Sequence, residues 1–245
     1  MPRWLPGRPI FVTLLAAAFF ISGVTLLLLQ QPHWLISSLS RRSPEILWFV
    51  RTEEPLVALT IDDGPDRETT PALLRLLKEH DAHATFFVIS ERVRGNEDLV
   101  AQIVTAGHEL GNHLTRDERS IGLTVEEFAA EVSKAHEVLS RFGELRWLRP
   151  GGGWFDRSMI SVAESLGYRV VLGSIYPYDA TLPSSSFAAF HTIRKARPGA
   201  IVVLHDGGAR GQRTLASLER ILPELRRQGY AVVSLSQLAE SVERP

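Results

Sequence analysis

From residue 55 onward the chain repeats one alternation. Short apolar or β-branched runs at 56–61, 84–89, 108–112, 145–148, 168–172, 200–204 and 231–235 are separated by stretches of helical spacing at 71–80, 99–106, 125–142, 158–166 and 215–228. Strands alternating with helices imply βα units and a mostly parallel sheet. Several runs are apolar throughout, as expected of strands covered on both faces. Seven such units suit a closed or nearly closed (β/α)7 barrel, somewhat smaller than the eight-unit form, with a doubly wound open sheet as the alternative. No internal repeat or low-complexity linker interrupts the pattern, so residues 54–245 read as one domain.

What precedes this domain differs in kind. Residues 10–29 (IFVTLLAAAFFISGVTLLLL) carry no charge. As a helix they would span roughly 30 Å, the hydrocarbon thickness of a bilayer. A cleaved signal peptide is the alternative, but its apolar region normally runs about 7–15 residues. The expectation is a transmembrane signal anchor at 10–29. A short cytoplasmic segment at 1–9 would precede it, and a juxtamembrane connector at 30–53 would follow. Arg3, Arg8 and the terminal amine lie nearer the span than Arg41 and Arg42, so the positive-inside rule keeps the N-terminus cytoplasmic and exports the domain. The chain is thus expected to be a single-pass membrane protein. Trp34 and Trp48 in the connector suit either a lipid interface or ordinary packing.

Composition removes several function classes. Lys and Arg number 27 against 28 Asp and Glu, a balance that offers no basic face for nucleic acid. Cysteine is absent, which excludes disulfide scaffolds, thiol nucleophiles and Cys-ligated zinc. The eight histidines become the residues to follow.

In either α/β architecture chemistry belongs at the C-terminal ends of the strands, and polar residues collect there. The first strand runs into Asp62-Asp63-Gly64-Pro65, the third into Asn112-His113 with Asp117 four residues on. The fourth leads to Arg149-Pro150 and three glycines, the fifth to Tyr176-Pro177-Tyr178-Asp179, and the sixth to His205-Asp206. Each has an ordinary explanation. Asp-Asp-Gly-Pro makes a good turn, Asp117 belongs to a charged run, Arg149 could be salt-bridged in a loop, and His205 could be a core histidine. Five together are harder to dismiss. The Gly-Pro break lets both aspartates reach one site, where two adjacent carboxylates repel unless a cation lies between them. His113 and Asp117, spaced i, i+4, share a face on a helical turn. With Asp63 they would give the three protein ligands and open position of a catalytic zinc site.

The motifs then resemble a known family. TIDDGP (60–65), HATFFVIS (83–90), AGHELGNH (106–113), LRPGGG (148–153) and VVLHDG (202–207) look like the ordered motifs of the polysaccharide deacetylases, carbohydrate esterase family 4, the NodB-homology domain. The likeness covers about residues 55–240. It implies a deformed (β/α) barrel, with Asp62 as catalytic base, Asp63 and His113 as metal ligands, and Arg149 orienting Asp62. The backbone of Gly152 would contact the oxyanion, and His205 would be the general acid, paired with Asp179. The family pattern has a second His where this chain has Asp117, which could still ligate. Ala180 and Val203 replace a Trp and a Leu of the acetyl pocket, which Trp154, Tyr176 or Tyr178 could rebuild.

The reading is a metal-dependent hydrolase that removes N-acetyl groups from an amino-sugar polymer such as peptidoglycan or chitin. It would use one divalent ion, zinc first, with cobalt, nickel or manganese as substitutes. Its partners would be an N-acetylated glycan and the membrane, and the chain is expected to be a monomer. Two alternatives stand beside it: a glycan-binding barrel whose site Asp117 has spoiled, and a metal hydrolase acting on an ester or a non-sugar C–N bond.

Overall fold

The structure is a computed structural model and describes residues 8–243. All seven predicted strands form: β1 (Leu56–Asp62), β2 (Ala84–Val88), β3 (Glu109–Asn112), β4 (Trp147–Leu148), β5 (Arg169–Val170), β6 (Ala200–His205) and β7 (Ala231–Val233). They pair in parallel in the order β5-β4-β3-β2-β1-β6, with β7 against the start of β1. The sheet curls rather than lying open. After β5 the chain returns to the far edge, where Ser174 and Ile175 donate to the Ile201 carbonyl and Val203 donates to Ile175.

The predicted helices appear as α3 (Thr69–Glu79), α4 (Glu97–Thr105), α5 (Val125–Leu139), α6 (Arg157–Ser165) and α8 (Gly208–Arg227). Thr124 and Glu127 close a capping box at the start of α5, satisfying two backbone donors that a helix end leaves unpaired. Three further helices were not anticipated: α2 (His33–Arg42), α7 (Ser185–Lys195) and α9 (Leu235–Glu243).

Strand alternation sorts the side chains. Val57, Leu59, Ile61, Phe86, Val88, Val202 and Leu204 belong to the main core beneath the helices. The intervening positions fill the concave face. Ala58, Phe87 and Ile201 form a second cluster closed by Leu235 and Leu238 at the α9 end. Thr60, Asp62, Val203 and His205 continue these rows toward the C-terminal strand ends, where Asp62 and His205 are register partners on adjacent strands.

The span predicted at 10–29 falls within α1 (Arg8–Gln30). Its side chains at 10, 11, 26 and 28 lie outside the described residues. Among the described residues no helix is long and apolar enough to cross a membrane. The segment at 30–53 is not a free connector. Leu47 pairs with Val171 in the manner of an added strand. Ile46 and Trp48 are buried, Trp48 edge-on to Phe155, while Trp34 is exposed. Residues 46–48 thus pack as part of the domain expected to begin at 54.

Candidate active site

The strand ends converge on one cleft of about 480 Å³, lined by Asp62, Asp63, His113, Asp117, Arg149, Gly152, Val203 and His205 among others. An adjoining lobe of about 440 Å³ adds Tyr178 and Asp179.

Asp62 is buried at the end of β1, and one of its oxygens is bound by Arg149 Nη1. Arg149 is itself fixed on three sides. Its Nη1 also donates to Thr60 Oγ1 at 2.9 Å, its Nε donates to the Val171 carbonyl at 3.1 Å, and its guanidinium lies 4.1 Å from the Phe87 ring centroid. Such a cation orients a buried carboxylate and offsets its charge. The second oxygen of Asp62 faces His113 Nε2 at 4.0 Å.

Asp63 leaves the strand with φ 72°, a left-handed turn that directs its carboxylate back toward the cleft. Its Oδ1 lies 3.4 Å from His113 Nε2, and its buried Oδ2 makes no hydrogen bond, although Arg210 Nη1 stands 2.8 Å away. Burial would raise the Asp63 pKa; hydrogen bonding and charge from His113, helped by His205 and Arg210, instead lower it to about 2.

His113 Nδ1 lies 2.7 Å from the Arg149 carbonyl, so Nδ1 must carry a proton and donate it. Nε2 then points its remaining position at two carboxylates. A bare lone pair there is repelled, so the position requires a proton or a metal cation. Donors each about 2.1 Å from a tetrahedral ion lie about 3.4 Å apart, which matches the Asp63–His113 separation. These two residues fit a divalent ion.

Asp117 is placed differently. The helical turn expected across 113–117 does not form, because Leu114 takes φ 64° and its N–H is held by the Asn112 side chain. Asp117 Oδ2 instead meets Arg210 Nη2 at 2.5 Å and Arg92 Nη2 at 3.2 Å. Among the described residues no three His, Asp or Glu side chains are grouped to hold a metal.

His205 Nδ1 approaches both oxygens of buried Asp179, at 3.0 and 3.2 Å, leaving Nε2 for the cleft. Asp179 also accepts from the His205 backbone N–H at 2.8 Å and from Thr214 at 3.0 Å. Burial lowers the His205 pKa, but the Asp179 hydrogen bond and charge, with Asp62 and Asp63 beyond, raise it to about 9. A raised histidine value stabilises the fold fully below about pH 6.5, and that contribution is lost as pH rises through about 9. In the metal-free chain, NMR titration should find the His205 midpoint near 9, and Asp179→Asn should lower it, since the largest upward influence is lost and only Asp62 and Asp63 still oppose burial. A midpoint unchanged in the variant would mean that Asp179 does not set it.

Gly152, at φ 70°, lines both lobes, and a Cβ there would crowd the Arg119 side chain at 3.2 Å. Val203 borders both lobes and Tyr178 the second. Trp154 is 60% exposed and lines neither.

Arg210 was not anticipated. A basic residue in the first turn of a helix opposes the helix dipole, but the sequence carried no such signal, because its helical spacing begins only at 215 and the start of α8 reads as loop. Arg210 is compensated by the pair Asp63 and Asp117.

The polysaccharide deacetylase family model matches residues 49–171. The chain belongs to the polysaccharide deacetylase family. Over 196 residues it is 37% identical to a peptidoglycan-N-acetylglucosamine deacetylase of Bacillus cereus, covering 79% of this chain and 92% of that one. Over 200 residues it is 32% identical to a chitooligosaccharide deacetylase of Sinorhizobium fredii, covering 76% and 93%. Among solved structures, a peptidoglycan N-acetylglucosamine deacetylase superposes with TM-score 0.76 at 27% identity, over 81% of this chain and 95% of that one. A family 4 pseudoenzyme from Bacillus anthracis superposes with TM-score 0.71 at 26% identity, over 79% and 68%.

Proposed function

We propose that this deacetylase is a metal-dependent hydrolase that removes N-acetyl groups from an amino-sugar polymer, peptidoglycan before chitin. The observation that carries the reading is the pairing of Asp62 with His205 across adjacent strands, each fixed by its own buried counter-charge. Asp62, held by Arg149, takes a proton from the attacking water with the oxygen that Arg149 leaves free. His205, held as an imidazolium by Asp179, gives a proton from Nε2 to the departing amine, so acid and base work fall to groups of opposite protonation. The Gly152 backbone borders the space the acetyl oxygen would enter. Asp63 and His113 would hold the ion, joined by Asp117. When bound, a divalent ion polarises a carbonyl and acidifies water.

Acetate release from N-acetylated chitooligosaccharides and from peptidoglycan tests the substrate class. Faster release from peptidoglycan is expected, and release from neither would defeat the reading.

The second reading rests on Arg210, whose guanidinium already bridges Asp63 and Asp117, with Arg92 as a second cation on Asp117. In that case the barrel binds glycan without cleaving it. Metal titration calorimetry separates the two. If Asp117 joins the ion once Arg210 withdraws, Arg210→Met should tighten zinc binding by about tenfold, or about 1.4 kcal/mol, and Asp117→Ala should abolish it. Zinc binding unaffected by Asp117→Ala would remove Asp117 from the ligand set, and its absence in both wild type and Arg210→Met would favour the binding module.

The uncharged run at 10–29 supports anchoring in a membrane, and Arg3 and Arg8 ahead of it support export of the domain. Retention of the chain in membranes through alkaline extraction is expected, and its release would contradict anchoring.

A further inference from the structure

The residue that follows α1 reaches the active site. Gln31, next in sequence after α1, is buried and adopts φ 40°. Its side-chain amide makes a two-way clamp on one backbone unit: Nε2 donates to the Tyr176 carbonyl at 2.7 Å, and Oε1 accepts from the Tyr176 N–H at 2.9 Å. His191 Nε2 stands 3.4 Å from the same Oε1, and Lys195 Nζ donates to the Gln30 carbonyl. Gln31 also borders the 440 Å³ lobe, together with Gly152, Tyr178, Asp179 and His205.

Tyr176 begins the turn that carries Asp179, and Asp179 holds both the ring and the backbone N–H of His205. The turn is bent tightly, with Tyr178 at φ 63° and the Thr181 and Leu182 amides both donating to the Tyr178 carbonyl. Outside groups hold it at both ends: Arg213 Nε donates to the Asp179 carbonyl at 2.7 Å, and Gln31 clamps the entry at Tyr176. The Tyr176 amide and carbonyl are spent on Gln31 and on no strand.

We propose that Gln31 is a positioning residue of the active site: by clamping Tyr176 it holds the 176–179 turn so that Asp179 stays seated on His205. The N-terminal segment then completes the catalytic cleft, although it precedes the family match at 49–171. A chain trimmed to residue 43, a natural choice for removing α1, would lose this clamp. The consequence for turnover rests on the deacetylase reading; the consequence for the turn does not.

The test uses the full chain in detergent micelles, comparing wild type with Gln31→Ala and Gln31→Glu by backbone amide exchange and by acetate release. Gln31→Ala should speed exchange of the Tyr176 amide at least tenfold and, through Asp179, also that of the His205 amide. Gln31→Glu keeps the acceptor for Tyr176 N–H and loses only the donor, so its effect should be intermediate. Turnover should fall at least tenfold in Gln31→Ala with KM within about twofold, because the clamp orients a proton donor rather than binding sugar. Faster exchange at Tyr176 alone, unchanged exchange at both amides, or an unchanged kcat would overturn the proposal. A wild-type chain that releases no acetate would defeat the deacetylase reading, while the paired exchange of Tyr176 and His205 would still decide whether Gln31 holds the turn.

Discussion

Replacing Asp62 with Asn is expected to lower kcat/KM by about 10³-fold in a chain that still folds but is less stable, because the buried Arg149 cation loses its counter-charge. The amide is isosteric and can still accept the Arg149 hydrogen bond through its oxygen, but it cannot take a proton from water. General-base catalysis is worth about 10²–10⁴-fold, and little else in the cleft can substitute. His113 is committed to the Arg149 carbonyl and to Asp63, and Asp63 is pulled to about 2 by its neighbours. Steady-state kinetics on a chitooligosaccharide checks this. A loss of less than tenfold would mean that Asp62 is not the base.

Replacing Arg149 with Met should instead strike stability, by about 3–5 kcal/mol, the usual cost of leaving a buried charge without its partner. Met roughly conserves the volume against Phe87, so packing changes little. What is lost is the cation on Asp62, together with the bonds to Thr60 and Val171. Urea unfolding measures the change. The double variant Asp62→Asn, Arg149→Met should recover part of the loss, because no unpaired carboxylate then remains. If Arg149→Met alone costs under 1 kcal/mol, the pair is solvated and the burial argument fails.

Much of this architecture was legible in the chain because burial on both faces writes itself as apolar runs. β1, β2 and β6 could be placed to within a residue. β4 and β5 could not: the runs at 145–148 and 168–172 shrink to the two-residue ladders Trp147–Leu148 and Arg169–Val170. The start of α8 was hidden by Gly207, Gly208 and Gly211, which read as loop. Gly211 is there for close packing, since a Cβ would stand 2.5 Å from Thr69 Oγ1. α9 was missed because Leu235, the last apolar residue of the seventh run, turns out to begin a helix that plugs the concave face.

The site divided the same way. Asp62, Asp63, His113, Arg149 and His205 were found because strand ends bring them together, whereas the pairing of Asp179, on a turn beyond β5, came from the family resemblance. The partners of Asp117 depend on how two loops and a helix terminus meet, so neither Arg92 nor Arg210 could be paired with it from spacing alone. The i, i+4 spacing misled because it assumed helical backbone where Leu114 is left-handed. Gln31 was beyond reach for a further reason: its contact with Tyr176 spans 145 residues and joins a segment that read as linker.

The most direct test follows metal content and acetate release in one sample of the full chain, before chelation, after it, and after zinc or cobalt is restored. The account predicts one ion per chain at the starting point, with both ion and acetate release lost on chelation and regained together. Acetate release that persists in fully chelated protein, or a chain that takes up no divalent ion under any condition, would contradict it.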